Sequence, residues 1–300
     1  MPDSSDARLV SRLRARLAEA GLSGSFLVRD LLTGREVGID PDVAFPIASL
    51  VKVPLAVAVL ERVQAGRLDG AALIDVPPGR PESVGEVGLS RFRHPARVAV
   101  DDLLYLSLAI SDNAATDTLF DLVPPIEVTK TLRDAGMAGI TVRHPMRELG
   151  STPSDGLAQT LAIGARTAGL GSQLPQLDVT RANIGTARAL VDLLEALWAP
   201  ARTASAVSAG AAERIRALMR GNVLRQRLGP DFSSDASIWS SKTGTLLNLR
   251  HEIGVVEHED GTRFAVAALT ESAVPASAQP AAEALMGRVA RALHDHLRDA

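Results

Sequence analysis

Where the strands fall constrains this chain most. Two apolar runs of strand character, Ser25 to Leu32 and Glu36 to Ile39, flank the turn Thr33-Gly34 near the N-terminus. Three more, Trp239 to Gly244, Ile253 to Glu257 and Phe264 to Leu269, lie near the C-terminus, the last two joined by Glu259-Asp260-Gly261. Between the two groups, apolar residues recur at helical spacing. Ser49 to Ala65 is a strongly apolar helix closed by Gly66; Asp101 to Ile110, Asn113 to Val123, Thr129 to Ala135, Thr186 to Trp198 and Ala211 to Met219 follow. Amphipathic helices Asp6 to Ala20 and Pro280 to Leu297 open and close the chain. This order predicts an α/β protein of the α+β type: one antiparallel sheet assembled from both termini and packed against an all-helical lobe. We expect a single domain over residues 1–300, with a sheet lobe of about 1–45 and 236–300 and a helical lobe of about 46–235. Pro77 to Pro95 and Arg143 to Gly156 are predicted loops, the second of them long and ordered.

Composition narrows the chemistry. The chain has no cysteine, which excludes disulfides, thiolate metal sites and cysteine nucleophiles. A net charge of -3 with no basic run, and aromatic residues at only 3%, give no footing for a nucleic-acid partner. Neither a secretory h-region nor an apolar run of spanning length is found, so the expectation is a cytoplasmic protein that does not enter the membrane. His294 and His296 stand two apart on the closing helix and do not share a face, so both are expected on the surface and not as metal ligands. No metal or cofactor motif is seen.

Of the 32 basic residues only three are lysine: Lys52, Lys130 and Lys242. Arginine serves wherever a plain positive charge is needed. A lysine retained against that bias suggests a compact ammonium or an amine able to lose its proton. Lys130 lies on a polar helix face and is read as incidental. Lys52 follows Ser49 by three residues at the start of an apolar helix, which places hydroxyl and amine on one face. A serine hydroxyl needs a base to become a nucleophile, and a desolvated lysine can supply one. The Ser49 N–H at the helix start is a candidate oxyanion donor. Ser111-Asp112-Asn113 interrupts two helices, offering a hydroxyl for proton relay and an amide for substrate or lysine. Lys242-Thr243-Gly244-Thr245 ends a strand, offering an ammonium and hydroxyl for a carboxylate, a glycine for close approach of a ligand, and the Thr245 N–H as a second oxyanion donor. Each pattern alone is also met in ordinary caps and edge strands.

Together, in the order S-x-x-K, S-D-N, K-T-G, the three motifs resemble those of the class A β-lactamase and penicillin-binding family. The resemblance covers roughly Phe26 to the C-terminus and implies a β-lactamase/transpeptidase-like fold without a cofactor. It implies Ser49 as the acylated nucleophile, Lys52 as its activator and Ser111 as proton donor to the leaving nitrogen. Lys242 and Thr243 would hold the substrate carboxylate, with Asn113 on the substrate side chain or on Lys52. Arg250, eight residues past Lys242, is a candidate second anion partner or a surface arginine.

One departure stands out. Class A β-lactamases carry a deacylating Glu in a loop between the second and third motifs, followed four residues later by Asn. Here the stretch reads Arg143-His144-Pro145-Met146-Arg147-Glu148-Leu149-Gly150-Ser151-Thr152. Either Glu148 is the catalytic carboxylate with Thr152 in place of the Asn, or Glu148-Leu149 matches the family's next Glu-Leu pair and Met146 occupies the catalytic slot. Three functions remain open: a hydrolase opening a β-lactam or related small-molecule amide, an esterase or acyltransferase acting on a metabolite, and a sensor acylated once.

Overall fold

Ten-residue strands dominate the C-terminal end of the molecule. The structure is a computed structural model that describes residues 4–78, 87–151, 162, 174–203, 207–273 and 279–299. The strands are β1 (Leu22–Asp30), β2 (Glu36–Ile39), β3 (Ala44–Pro46), β4 (Leu73–Val76), β5 (Ala96–Ala99), β6 (Ile184–Thr186), β7 (Ser237–Leu246), β8 (Leu249–His258) and β9 (Arg263–Ser272). The helices are α1 (Ser4–Glu19), α2 (Lys52–Gln64), α3 (Val100–Ala109), α4 (Asn113–Leu122), α5 (Pro125–Asp134), α6 (Ala187–Trp198), α7 (Ala209–Arg220), α8 (Gly229–Phe232) and α9 (Pro280–Arg298). One five-stranded antiparallel sheet runs β2-β1-β9-β8-β7, so strands from both termini meet at the β1–β9 pair, with Phe26 opposite Ala268 and Val28 opposite Val266. This is the sheet that the strand order predicts.

Alternation along these strands sends side chains to two cores. Phe26, Val28, Val256, Val266 and Ala268 pack under α1 and α9 against Leu13, Leu17, Val289 and Leu293. Leu27, Ile253, Val255, Ala265, Ala267 and Leu269 face the other way, towards α2 and α6. Helix α2 is buried from Lys52 through Leu60, which explains its apolar character all round. The two small sheets, β3–β6 and β4–β5, are not foreseen from the sequence, because strands of three or four residues leave too short a period to read. β8 begins four residues earlier than its apolar run. Arg250, His251 and Glu252 are buried there despite their polarity, each hydrogen-bonded to a group outside the strand: the Leu247 carbonyl, the Pro46 carbonyl and the Leu228 N–H.

The closing helix brings a correction. His294 is buried at 1% exposure, packed edge-on against Phe232 and Phe264, with its Nε2 3.0 Å from His258 Nε2. His296 is half-buried and reaches Asp6 on α1. Helix α9 packs on the sheet face with α1 and α8 beside it, so even residues two apart are both partly or fully covered. Among the described residues no helix is long and apolar enough to cross a membrane.

Candidate active site

Ser49 does not lie in the first α-helical turn. It stands on a 3-10 turn, Ala48–Val51, that runs into α2 at Lys52. With three residues per turn, positions i and i+3 eclipse, so Ser49 and Lys52 are aligned more closely than on an α-helix. The turn is entered through Ala48 at φ 46, a left-handed conformation that a non-glycine residue adopts only when its surroundings impose it. Those surroundings are visible. The Ile47 N–H donates to the Asn183 carbonyl. His251 pins the preceding strand: its Nδ1 accepts from the Thr270 N–H, which leaves its proton on Nε2, and Nε2 donates to the Pro46 carbonyl at 2.9 Å. Burial pushes His251 down to about 3, so the imidazole stays neutral and keeps that tautomer. Ser49 itself is half-buried, while Lys52 beneath it has no exposed surface.

The Lys52 ammonium fills its donors: Nζ reaches the Ser111 carbonyl at 2.7 Å, Asn113 Oδ1 at 2.7 Å and Ser111 Oγ at 3.0 Å. Lys242, also fully buried, reaches the same Ser111 Oγ at 3.0 Å and the Thr243 carbonyl at 2.9 Å. Two cations on one hydroxyl oxygen repel each other, and burial penalises both. Desolvation pushes Lys52 down to about 7, against the pull of Asp112 and Asp117. Lys242 is held well below the usual lysine range by burial and then by Lys52 itself. When one amine is neutral its lone pair accepts the Ser111 O–H, while the other ammonium still donates to that oxygen. Ser111 is therefore wired to move a proton between the two.

Ser111 adopts φ 63, another left-handed position. It is fixed by Asp112, a buried N-cap of α4 whose carboxylate accepts from the Ala114 and Ala115 N–H groups, from Ser90 Oγ and from the Leu89 N–H. Asp112 thus fastens the Gly88–Arg91 turn beside the site. Gly88 is required there: it stands at φ 63, and a Cβ would meet Asp112 Oδ2 at 2.2 Å.

β7 is an edge strand, and it meets the Ser49 turn at Gly244, where a Cβ would lie 2.9 Å from the Ile47 carbonyl and 3.1 Å from Leu50 Cγ. The approach that this glycine permits is that of the turn carrying Ser49. Thr243 is buried; Thr245 is exposed and accepts from Arg227 Nη2 at 2.6 Å. Arg250 is 5% exposed, donates to the Leu247 and Leu249 carbonyls and lies 3.7 Å from the Glu283 carboxylate, so its charge sits under the β7–β8 turn and not on the surface.

The loop that departs from the family pattern is tethered at two points. Buried Asp117 on α4 accepts from the Met146 and Arg147 N–H groups at 2.7 and 3.2 Å. Asn183 Oδ1 accepts from the Arg143 and His144 N–H groups, and its amide donates to the His144 carbonyl. Asn183 therefore clamps the loop, and the next helix is capped by Thr186. Met146 is buried in the helical core, whereas Glu148 is exposed and lines a hollow of about 210 Å³ with His144, Pro175, Gln176 and Arg181. Thr152 and most of the stretch from Gly156 to Val179 lie outside the described residues. Ser111, Asn113, Lys52 and Lys242 thus form one hydrogen-bonded cluster beneath Ser49. Asp117, Arg227 and His251 are the supports that sequence reasoning did not single out.

The fold has counterparts among known proteins. A family model described as the beta-lactamase enzyme family matches residues 8–297. A beta-lactamase regulatory protein, BlaB, of Streptomyces cacaoi is 60% identical over 97% of this chain and 98% of its own length. Among solved structures, a beta-lactamase from Sphaerobacter thermophilus superposes with a TM-score of 0.77 at 24% identity, covering 100% of this chain and 99% of that one. A structure of a point mutant of PBP-A in an acyl-enzyme complex with penicillin G superposes at 0.76 with 19% identity, covering 98% of this chain and 97% of that one. The structural likenesses carry the fold; the family model and the 60% identical relative carry the kinship. The chain belongs to the beta-lactamase enzyme family, a group of β-lactamase/transpeptidase-like serine hydrolases.

Proposed function

We propose that this protein is acylated on Ser49 by a β-lactam or a related carboxylate-bearing amide and releases the acyl group slowly. The observation that carries the proposal is Ser111 Oγ shared between two fully buried lysines. Neutral Lys52 takes the Ser49 proton as Oγ attacks the carbonyl carbon. The developing oxyanion lies between the Ser49 and Thr245 N–H groups. As the ring C–N bond breaks, Ser111 gives its proton to the nitrogen and is refilled from the lysine pair, so the proton taken from Ser49 ends on the opened ring. Lys242 and Thr243 hold the substrate carboxylate, and Arg250 adds positive charge from beneath the strand. Asn113 orients Lys52.

Release needs a water held by a base against the ester. The buried Met146 and exposed Glu148 favour the alignment in which Met146 occupies the catalytic slot, where a thioether supplies no base. Losing a positioned base costs about 10²- to 10⁴-fold. This joins the hydrolase and sensor readings: a protein that acylates readily and turns over slowly reports on β-lactam more than it destroys it. The name of the Streptomyces cacaoi relative, a regulatory protein, supports the same reading. The test is rapid mixing with a chromogenic β-lactam. A burst of about one equivalent followed by slow turnover is expected, and Glu148→Gln should leave both phases unchanged. Fast turnover without a burst contradicts the proposal.

A further inference from the structure

An oxyanion hole works only if its donors are fixed before charge develops. The Thr245 N–H belongs to the Gly244–Thr245 peptide, near the end of an edge strand where ladder bonds exist on one side only. Behind that peptide lies Arg227, 3% exposed, on the segment between α7 and α8. Its Nη1 donates to the Gly244 carbonyl at 2.8 Å and to the His251 carbonyl at 2.7 Å; its Nη2 donates to Thr245 Oγ1 at 2.6 Å; its Nε is anchored on Glu283 Oε1 at 3.0 Å. Gly244 and His251 are register partners. One nitrogen reaching both carbonyls therefore places the Gly244 C=O on the β8 side of the strand. In a planar trans peptide the N–H points opposite to the C=O. The Thr245 N–H is thus turned to the free edge, the side left open for a ligand.

We infer that Arg227 is a positioning residue for acyl transfer: it holds the Gly244–Thr245 peptide with its N–H presented as an oxyanion donor and polarises that peptide with its buried charge. The inference rests on the acyl-transfer reading of Ser49. A cation on the carbonyl of a peptide strengthens the donor at its other end. A guanidinium suits the task because its fork reaches two carbonyls and a hydroxyl at once, which an ammonium does not.

The test compares the wild type with Arg227→Met, Arg227→Lys and Glu283→Gln, using two acylating probes, benzylpenicillin and p-nitrophenyl acetate, and a reversible one, phenylboronic acid, whose tetrahedral adduct on Ser49 places an oxygen in the hole. Arg227→Met should slow acylation by both probes ~10- to 100-fold, a fraction of the 10²- to 10³-fold lost when a donor is removed outright. Boronate affinity should fall in parallel, while affinity in the non-covalent step barely moves. Arg227→Lys should recover part of the rate. Glu283→Gln, which removes the anchor and keeps the strand contacts, should stay within ~2-fold if the role runs through the peptide. If Arg227→Met fails to fold by circular dichroism, Arg227→Lys decides alone, with an expected loss of ~10-fold. Wild-type acylation rates in the folded Arg227 variants, or slowed acylation with unchanged boronate affinity, overturn the inference. A wild type that reacts with the ester and not with penicillin overturns the β-lactam reading instead, and the Arg227 comparison then stands on the ester.

Discussion

At the scale of single residues, the proposed chemistry turns on how far burial lowers a lysine. With Lys52 held down to about 7, the neutral form that accepts the Ser49 proton fills in as pH rises through that value. The acylation rate constant should therefore rise about tenfold per pH unit below 7 and level off above it, measured with penicillin under single-turnover conditions. Lys52→Arg keeps the charge and loses the deprotonation, so it should be as damaging as Lys52→Ala, by ~10⁴-fold or more in acylation. Near-normal acylation by Lys52→Arg would assign Lys52 an electrostatic role. These residues were legible because lysine is scarce in this chain and because three short motifs kept their order. Arg227 and His251 were not, since one arginine in an arginine-rich chain and one of six scattered histidines carry no local mark. Their roles come from carbonyls that only the folded sheet brings near.

At the scale of elements, the site depends on β7 lying against the Ala48–Val51 turn. Gly244→Ala would drive a Cβ against the Ile47 carbonyl, backbone that cannot swing aside. We expect it to cost about 1–3 kcal/mol in stability and to slow acylation further than it lowers affinity; a denaturant titration beside burst kinetics separates the two. An Ala variant with wild-type burst rate would show that β7 and the turn need not touch. The Met146–Ser151 turn hangs on Asp117, so Asp117→Ala leaves the buried Met146 N–H and the part-buried Arg147 N–H without this acceptor, at about 1–3 kcal/mol for the buried one. Limited proteolysis should then cut near Arg147 faster than in the wild type, and an unchanged cleavage pattern would remove Asp117 from this role. Long helices and the apolar middles of the three C-terminal strands were readable from period; the full ten-residue lengths were not, because polar residues such as Arg250, His251 and Glu252 open β8. The 3-10 entry to α2 was not, because one-turn differences in helical winding leave the apolar pattern unchanged.

At the scale of the whole molecule, the sheet joins both chain ends, and the terminal helices cover its outer face. A neutral histidine pair sits in that seam. Arg298 donates to His258 Nδ1, which sets His258 to donate through Nε2 to His294, whose Nδ1 then donates to Asp295. Burial pushes His258 down to about 4 and also lowers His294, while an unfolded histidine titrates near about 6.5. Between these values the unfolded chain binds protons that the folded one refuses, so stability falls as pH drops from about 6.5 towards 4. Thermal melts across that window should show a falling Tm, and His294→Phe should flatten the fall; an unchanged slope would assign it elsewhere. The antiparallel sheet was legible from strand placement alone, whereas the burial of His294 was not, because a helix packed on a sheet and flanked by two other helices is covered on more than one face.

The central claim is that Ser49 is the acylated residue, and mass mapping of the penicillin adduct tests it most directly. Wild-type protein mixed with benzylpenicillin and quenched within seconds should gain one intact penicillin mass, carried by the peptide containing Ser49 and lost only slowly on further incubation. Ser49→Ala protein, folded by circular dichroism, should gain none. An adduct on any other residue, an adduct that persists in Ser49→Ala, or turnover by Ser49→Ala would contradict the account.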